Sequence, residues 1–334
     1  MVELQQASVQ SEFFSQIRAG IPANLSFVDE VAEVLGISND SAYRRIRGEK
    51  AISFDEIAKL SRHFTVSVDA LLNVKADSYI FKGKLANTQD HILDKWLENV
   101  LSQFEFMRNS DNCKLYYLAK DLPLPHFFHI PELAAFKFFF WQKSILQYDE
   151  LRGSRFEIGE VDQSCRKLSE QIVNAYNQVP TVEVWNAESI NSTIRQIEFY
   201  RDSGMFGSKS EVLVMWEILM DLVNHLEKQA ENGVKLAYAA GSEVSAASYE
   251  MFNNELILGN NTALADFGAF RLTFLNHSVI NYISTQDPTF NDYMLSGIKN
   301  MIRKSEQLNS VNEKGRLNFF NKIRSKITRA RNTR

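Results

Sequence analysis

One stretch constrains this chain more than any other: Phe27 to Leu72, FVDEVAEVLGISNDSAYRRIRGEKAISFDEIAKLSRHFTVSVDALL, whose apolar residues fall at helical spacing between turn signals. Just before it, Phe13, Phe14, Ile17 and Ile21 line one face of a first helix that Pro22 stops. Ser26 is placed to cap a second helix, with Asp29 and Glu30 in its first turn and Phe27, Val28, Val31, Ala32 and Leu35 as its buried stripe. Gly36 ends that helix, because glycine takes a left-handed turn without steric cost. Ser38 caps a third helix over about 39–47, in which Ala42 and Ile46 alone face inward. Gly48 breaks it, and Ser53-Phe54-Asp55-Glu56 forms a capping box for a fourth helix with Phe54, Ile57, Ala58, Leu60 and Phe64 on its core side. Val66, Val68, Leu71 and Leu72 close the unit from a fifth, short helix capped by Ser67.

The third helix is unusually polar for its length. Asn39, Asp40, Ser41, Tyr43, Arg44, Arg45 and Arg47 are all expected to face solvent, with Ser38 at its start and Lys50 just beyond it. Such a surface suits double-stranded DNA: amides and hydroxyls at a helix start meet phosphates or base edges, and an arginine fork reads guanine in the major groove. The net charge of −4 gives no global attraction to nucleic acid, so this local patch must carry the binding. The plain alternative is a solvated charged face on a helical bundle whose partners are acidic proteins, that is, a non-enzymatic adaptor without DNA binding.

The order AEVLGIS, a polar helix, RGEK and SFDEIAKLSRHFTVSVDAL resembles the Cro/repressor-type helix-turn-helix domain of bacterial regulators. The resemblance implies that Ala32 and Gly36 are the small residue and glycine of the motif, and that Ser38 to Arg47 is the recognition helix. The chain departs from the family near Arg45, where an apolar residue is usual, and in the segment before the glycine, which is often one residue longer. A regulator of this type is expected to be a cytoplasmic homodimer, since two half-sites one helical turn apart demand paired readers.

Beyond Leu72 the pattern is less specific. Residues 73–87 lose helical periodicity and mark a boundary, after which Ile92, Leu93, Trp96, Leu97, Val100, Leu101 and Phe104 recur at helical spacing. Lys114 to Leu118 reads as extended, and the prolines of LPLPHFFHIPEL argue against a regular helix there. His126 and His129 lie close together but without a third ligand nearby, so ordinary loop histidines are the expectation and no metal or other cofactor is called. The run Phe136 to Trp141 is too aromatic on all sides to be a surface helix and should be buried, unless it offers a face to a ligand. Further helices follow over 162–176, around 190–200, and from a capping box at Ser208 and Glu211 to Gly233.

After Val234 short apolar runs (VKLAYAA, ELIL, ALADF, FRLTFLN, VINYI) alternate with turn signals and read as strands, followed by an amphipathic helix from Phe290 to Ile302. This strand-rich unit resembles, in pattern only, the phospholipase-D-like sensory domains behind some prokaryotic helix-turn-helix units. None of the six histidines has the His-x-Lys spacing that the enzymes of that fold need. The last segment, from Val311, carries eight basic residues against one acid, with Leu317, Phe320, Ile323 and Ile327 as an apolar stripe. It reads as a basic helix docked on the preceding domain.

The expected architecture is therefore mostly α: a five-helix helix-turn-helix domain (1–75), a linker (76–87), an α-helical middle (88–233), a small α/β domain (234–310) and a basic C-terminal helix and tail (311–334). No HExxH, GxSxG, Walker loop or GxGxxG occurs, and no enzymatic activity is expected. Neither a secretory signal nor a stretch long enough to cross a bilayer stands out. The expected partners are DNA, a second copy of the chain, and a small-molecule or protein effector acting on the rest.

Overall fold

The structure, a computed structural model, describes residues 8–19, 21, 25–64, 66, 68, 79–83, 92–159, 162–238, 247–256 and 259–333. It divides into two compact units, residues 1–80 and 81–334.

Unit 1 contains α1 (Val9–Ala19), α2 (Phe27–Leu35), α3 (Asn39–Ile46) and α4 (Phe54–Phe64). Phe13, Phe14 and Ile17 of α1 bury against Val31, Ala32 and Leu35 of α2, Ala42 of α3 and Leu60 of α4. This is the stripe that helical periodicity requires. Gly36 takes the left-handed conformation at φ 65°, and the amide of Ile37 donates back to the Ala32 carbonyl, so the chain turns sharply into α3. Ser26 makes no side-chain cap bond, unlike Ser38. Phe54, expected in the core, is exposed at the start of α4, where the capping geometry of Ser53 and Glu56 turns it outward. Of the expected fifth helix, Ser67, Leu71 and Leu72 lie outside the described residues, while Val66 and Val68 pack against the core.

Unit 2 begins with β1 (Lys82–Gly83), then α5 (Ile92–Arg108), β2 (Lys114–Ala119), α6 (Leu124–Phe127), α7 (Pro131–Phe140), a π-helical turn (Trp141–Ile145), α8 (Gln163–Tyr176) and β3 (Thr181–Trp185). It continues with α9 (Asn191–Asp202), α10 (Lys209–Asn232), β4 (Tyr249–Asn253), β5 (Thr262–Asp266), β6 (Arg271–Asn276), β7 (Tyr282–Thr285), α11 (Pro288–Arg303), β8 (Glu306–Gln307) and α12 (Glu313–Asn332). Among the described residues the strands form one mixed sheet in the order β1-β7-β6-β5-β2-β3-β4-β8. The β2-β3-β4 centre is parallel and the remaining pairs are antiparallel.

The sheet corrects the expected separation of a helical middle (88–233) from an α/β domain (234–310). Its central strands β2 and β3 come from before Val234 and their neighbours β4 and β5 from after it, so hydrogen bonds cross the supposed boundary. Two of the runs expected as strands are not strands at the residues described. Val234 makes an isolated bridge to Ser248, and Leu236 and Tyr238 lie in irregular chain, while of ELIL only Glu255 and Leu256 are described, in a bend. The prolines near 125 and 131 do not prevent helices: Pro125 and Pro131 sit in the first turns of α6 and α7, where a missing N–H costs nothing.

Helices cover both faces of the sheet. On one, α5, α7, α8 and α10 bury the aromatic run, with Phe136 stacked on Phe206 and set edge-on to Phe156 and Tyr200. On the other, Leu295 and Ile298 of α11 pack on Leu264, and Met301 and Ile302 on Val182, Val184 and Phe252. The basic helix α12 docks on the outer side of α10. Phe319, Phe320, Ile323 and Ile327 are buried there, whereas Leu317, expected in the stripe, is exposed. Arg316, Arg324 and Arg331 pair with Glu231, Glu227 and Glu217 of α10, and Lys326 pairs with Glu188. Its basic face is thus tied to acids of the same unit.

One polar cluster pins the sheet centre. Glu183 of β3 is fully buried and accepts hydrogen bonds from His126 Nε2 (3.0 Å to each oxygen), Trp185 Nε1 (2.7 Å), the Tyr249 hydroxyl (2.8 Å) and the Tyr176 hydroxyl. A carboxylate only accepts, so Nε2 of His126 carries the proton. Burial alone would raise this carboxyl, but His126 and the two tyrosine hydroxyls hold it down at about 2. Beside it, the buried Lys235 ammonium donates to the carbonyls of Tyr176 and Val179 and to Thr181 Oγ1, and lies 3.2 Å from the centre of the Tyr176 ring. His126 therefore anchors the fold and is not a loop histidine.

Candidate nucleic-acid interface

The candidate interface is built on α3 and the turns on either side of it. Ser38 is extended at ψ 153°, and its hydroxyl accepts from the Ser41 amide at 3.3 Å, which starts α3. Ala42 then points into the core and is wholly buried. With that residue fixed, helical geometry leaves Asn39, Asp40, Tyr43, Arg44 and Arg47 exposed, together with Lys50 past the end; Ser41 is half-buried. The Asn39 amide donates to Asp29 Oδ1 of α2 at 2.6 Å, clamping the start of α3 to the helix before the glycine turn.

The exposed arginines are only loosely held. Arg44 Nε lies 4.0 Å and Arg47 Nε 3.5 Å from the Glu49 carboxylate, both in solvent, and such pairs contribute little. The Arg47 guanidinium also lies 5.5 Å from the centre of the Tyr43 ring. Tyr43, Arg44 and Arg47 form a surface of one exposed ring and two cations within a single helical turn, a shape that admits phosphate and base-edge contact.

Arg45 is the exception and corrects the expectation that it faces outward. It is buried, donating from Nη2 to Glu56 Oε1 at 2.7 Å and from Nη1 to the Ser41 carbonyl at 3.1 Å. The physical reason is position: Arg45 lies three residues after Ala42 and so shares its inward face. Glu56 makes its charge tolerable on that inward face. The same carboxylate accepts from the Ser53 amide at 2.9 Å, so one acidic group both caps α4 and braces α3. The Arg45 bond holds the Glu56 carboxyl below its ordinary value.

Sequence reasoning missed a second brace. Gln10 of α1 donates to the carbonyls of Arg45 (2.7 Å) and Lys50 (2.8 Å) and accepts from the Ile52 amide (3.2 Å). A single glutamine side chain thus fixes the turn from α3 into α4, which sets where Arg47 and Lys50 point. Nothing in the sequence marks Gln10 out, because its partners are backbone groups 35 to 42 residues away.

The comparison with protein families bears on this unit. Residues 17–100 match the BetR domain. This is a helix-turn-helix DNA-binding domain of regulators, and the match takes in α2, the Gly36 turn, α3 and α4 in full. The N-terminal unit is therefore similar to a helix-turn-helix domain of DNA-binding regulators. No curated protein and no solved structure matches the chain, and the phospholipase-D-like resemblance finds no support. Among the described residues no helix is long and apolar enough to cross a membrane, and no group of three His, Cys, Asp or Glu side chains is placed to hold a metal ion.

Proposed function

We propose that this protein is a sequence-specific DNA-binding transcriptional regulator of the bacterial cytoplasm. In this reading α3 enters the major groove, with Asn39, Asp40, Tyr43, Arg44 and Arg47 toward the bases and backbone. Ser38, Ser41 and Lys50 contribute at its two ends. The observation that carries it is the coincidence of the BetR match with an α3 whose inward face packs through Ala42 and the Arg45–Glu56 pair and whose outward face holds loosely paired arginines. The contrast with α12 supports it: that helix has more basic residues, but Arg316, Arg324, Lys326 and Arg331 are paired with acids of unit 2.

Unit 2 would then provide pairing into a homodimer and receipt of an effector. Selection of bound sequences from a random DNA pool by the full-length protein tests the reading. A pseudo-palindromic consensus is the expected result, with affinity falling steeply as salt rises through counterion release. Absence of enrichment even at low ionic strength would instead favour an adaptor whose α3 face meets acidic proteins.

A further inference from the structure

Unit 2 contains a cavity of about 370 Å³ beside the carboxyl end of β2, within the usual size of a small-molecule site. Its floor is set by topology. From β2 the chain leaves on one side toward β3, with which it is parallel, and on the other side β2 is flanked by β5, which returns antiparallel from much later in the sequence. Lys120 and Asp121 follow β2 into the wall, and Ser192 and Thr193 enter it from the first turn of α9, which follows β3. Crevices beyond the carboxyl ends of parallel strands are a common place for α/β sheets to hold ligands.

The rest of the wall is largely apolar, with Trp96, Phe104, Phe127, Trp141 and Tyr282 prominent. Within it stands Lys137 of α7, buried, its ammonium donating to Thr193 Oγ1 at 2.9 Å and Gln196 Oε1 at 2.6 Å and lying 4.0 Å from the centre of the Phe127 ring. These partners are neutral, and among the described residues no carboxylate comes within ion-pair distance of it. Asp121 acts on Lys137 only through space and is bonded to Ser192. Buried ammonium groups are costly without a counter-charge, so a cation held this way at a cavity wall leaves a place for an anion. A second donor is also unused: the indole N–H of Trp96 is buried without a hydrogen-bond partner.

We infer that this cavity binds an amphipathic monocarboxylate, its apolar body against Trp96, Phe104, Phe127 and Trp141 and its carboxylate on the Lys137 ammonium. The first turn of α9 adds the positive end of a helix dipole on the same side. As the effector site of unit 2, the cavity rests on the signal-receiving role proposed above. Ligand binding itself is measured without DNA, so the two readings fail separately.

Calorimetry of the full-length protein near neutral pH with decanoate, decanol and decylamine, each below its aggregation limit, tests the inference. Decanoate is expected to bind about tenfold or more tighter than decanol, the difference a charge-assisted contact supplies, and decylamine not at all. In Lys137→Met the preference for the acid should vanish while decanol still binds. Val279→Trp, at the exposed lining of the cavity, should weaken all probes with Lys137 intact, and it serves if Lys137→Met does not fold. Equal binding of acid and alcohol, a preference for the amine through Asp121, or no binding of any probe would overturn the assignment. After a positive result, a pool selection repeated with and without decanoate asks whether the site acts on DNA.

Discussion

Arg45 donates to Glu56 at 2.7 Å beneath the surface of unit 1, and this bond divides the arginines of α3 into one that builds the helix pair and two that remain available to a partner. Arg44, Arg45 and Arg47, the last of them the residue that caps α3, lie within four positions and are chemically alike. Their roles differ because α3 is fixed by Ala42, and 45 falls on the same side of the helix as 42.

Substitution should separate these roles. Arg45→Ala leaves Glu56 without its partner and is expected to destabilise unit 1 by about 1–3 kcal/mol. Arg44→Ala and Arg47→Ala should change stability by less than about 0.5 kcal/mol, as exposed positions usually do. On DNA the order reverses: each exposed arginine that reads a base should cost about 1–3 kcal/mol at that base position. Hydrogen exchange of α3 and α4 amides, beside binding titrations, measures both.

The same bond predicts an acid sensitivity. The Glu56 carboxyl is held below its ordinary value by Arg45, so its contribution to stability is complete above the unfolded-state value and is lost as pH falls through the lowered one. In Glu56→Gln the pH dependence of α3 and α4 protection should flatten across that acidic window. An unchanged profile would mean that the bond does not form in solution.

Lys137 predicts a dependence of the opposite kind. Burial lowers it from 10.5 to about 7, with Asp121 opposing the fall. Between those values the unfolded chain holds a proton that the folded one has released, so unit 2 should gain stability as pH rises from about 7 toward 10.5. Below about 7 both states are protonated and the burial penalty is constant. Lys137→Met should be more stable than the parent at pH 6 and converge on it in the alkaline range; thermal unfolding of both across that range, read as their difference, checks the sign.

The docked tail makes a simpler claim. Ile323 and Ile327 are buried between α12 and the body of unit 2, and truncation of either to alanine should cost about 2–5 kcal/mol. Denaturant midpoints report it. Loss of DNA affinity without loss of stability would instead make α12 a nucleic-acid contact.

Several helices and their ends were legible in the sequence, because periodicity, Gly36, the Ser53 and Ser208 capping boxes and Gly233 all encode local geometry, but α6 and the start of α7 were not, since their prolines read as breakers. The inward turn of Arg45 was not, since a charged side chain looks solvent-bound until the carboxylate eleven residues away is seen to reach it. Nor was β3: TVEVW is buried on both faces, so it lacks the alternation of a half-exposed strand, and Glu183 interrupts its apolar run. The hydrogen-bond donors that satisfy Glu183 come from Tyr176, His126, Trp185 and Tyr249, spread over three other elements and β3 itself. The cavity is invisible for the same reason, as its wall is assembled from segments between Trp96 and Tyr282.

The crossing of residue 233 by the sheet bears on how such a gene could be dismantled or recombined. A fragment ending after α10 would carry β2 and β3 as a two-stranded ribbon whose outer edges, satisfied here by β5 and β4, would be raw templates for intermolecular pairing. A fragment starting at Val234 would be an antiparallel remnant deprived of the layer that covers it. A cut near residue 80 falls between the two compact units, so any natural shuffling of this chain would be expected to move the smaller unit alone, or the whole of the larger one.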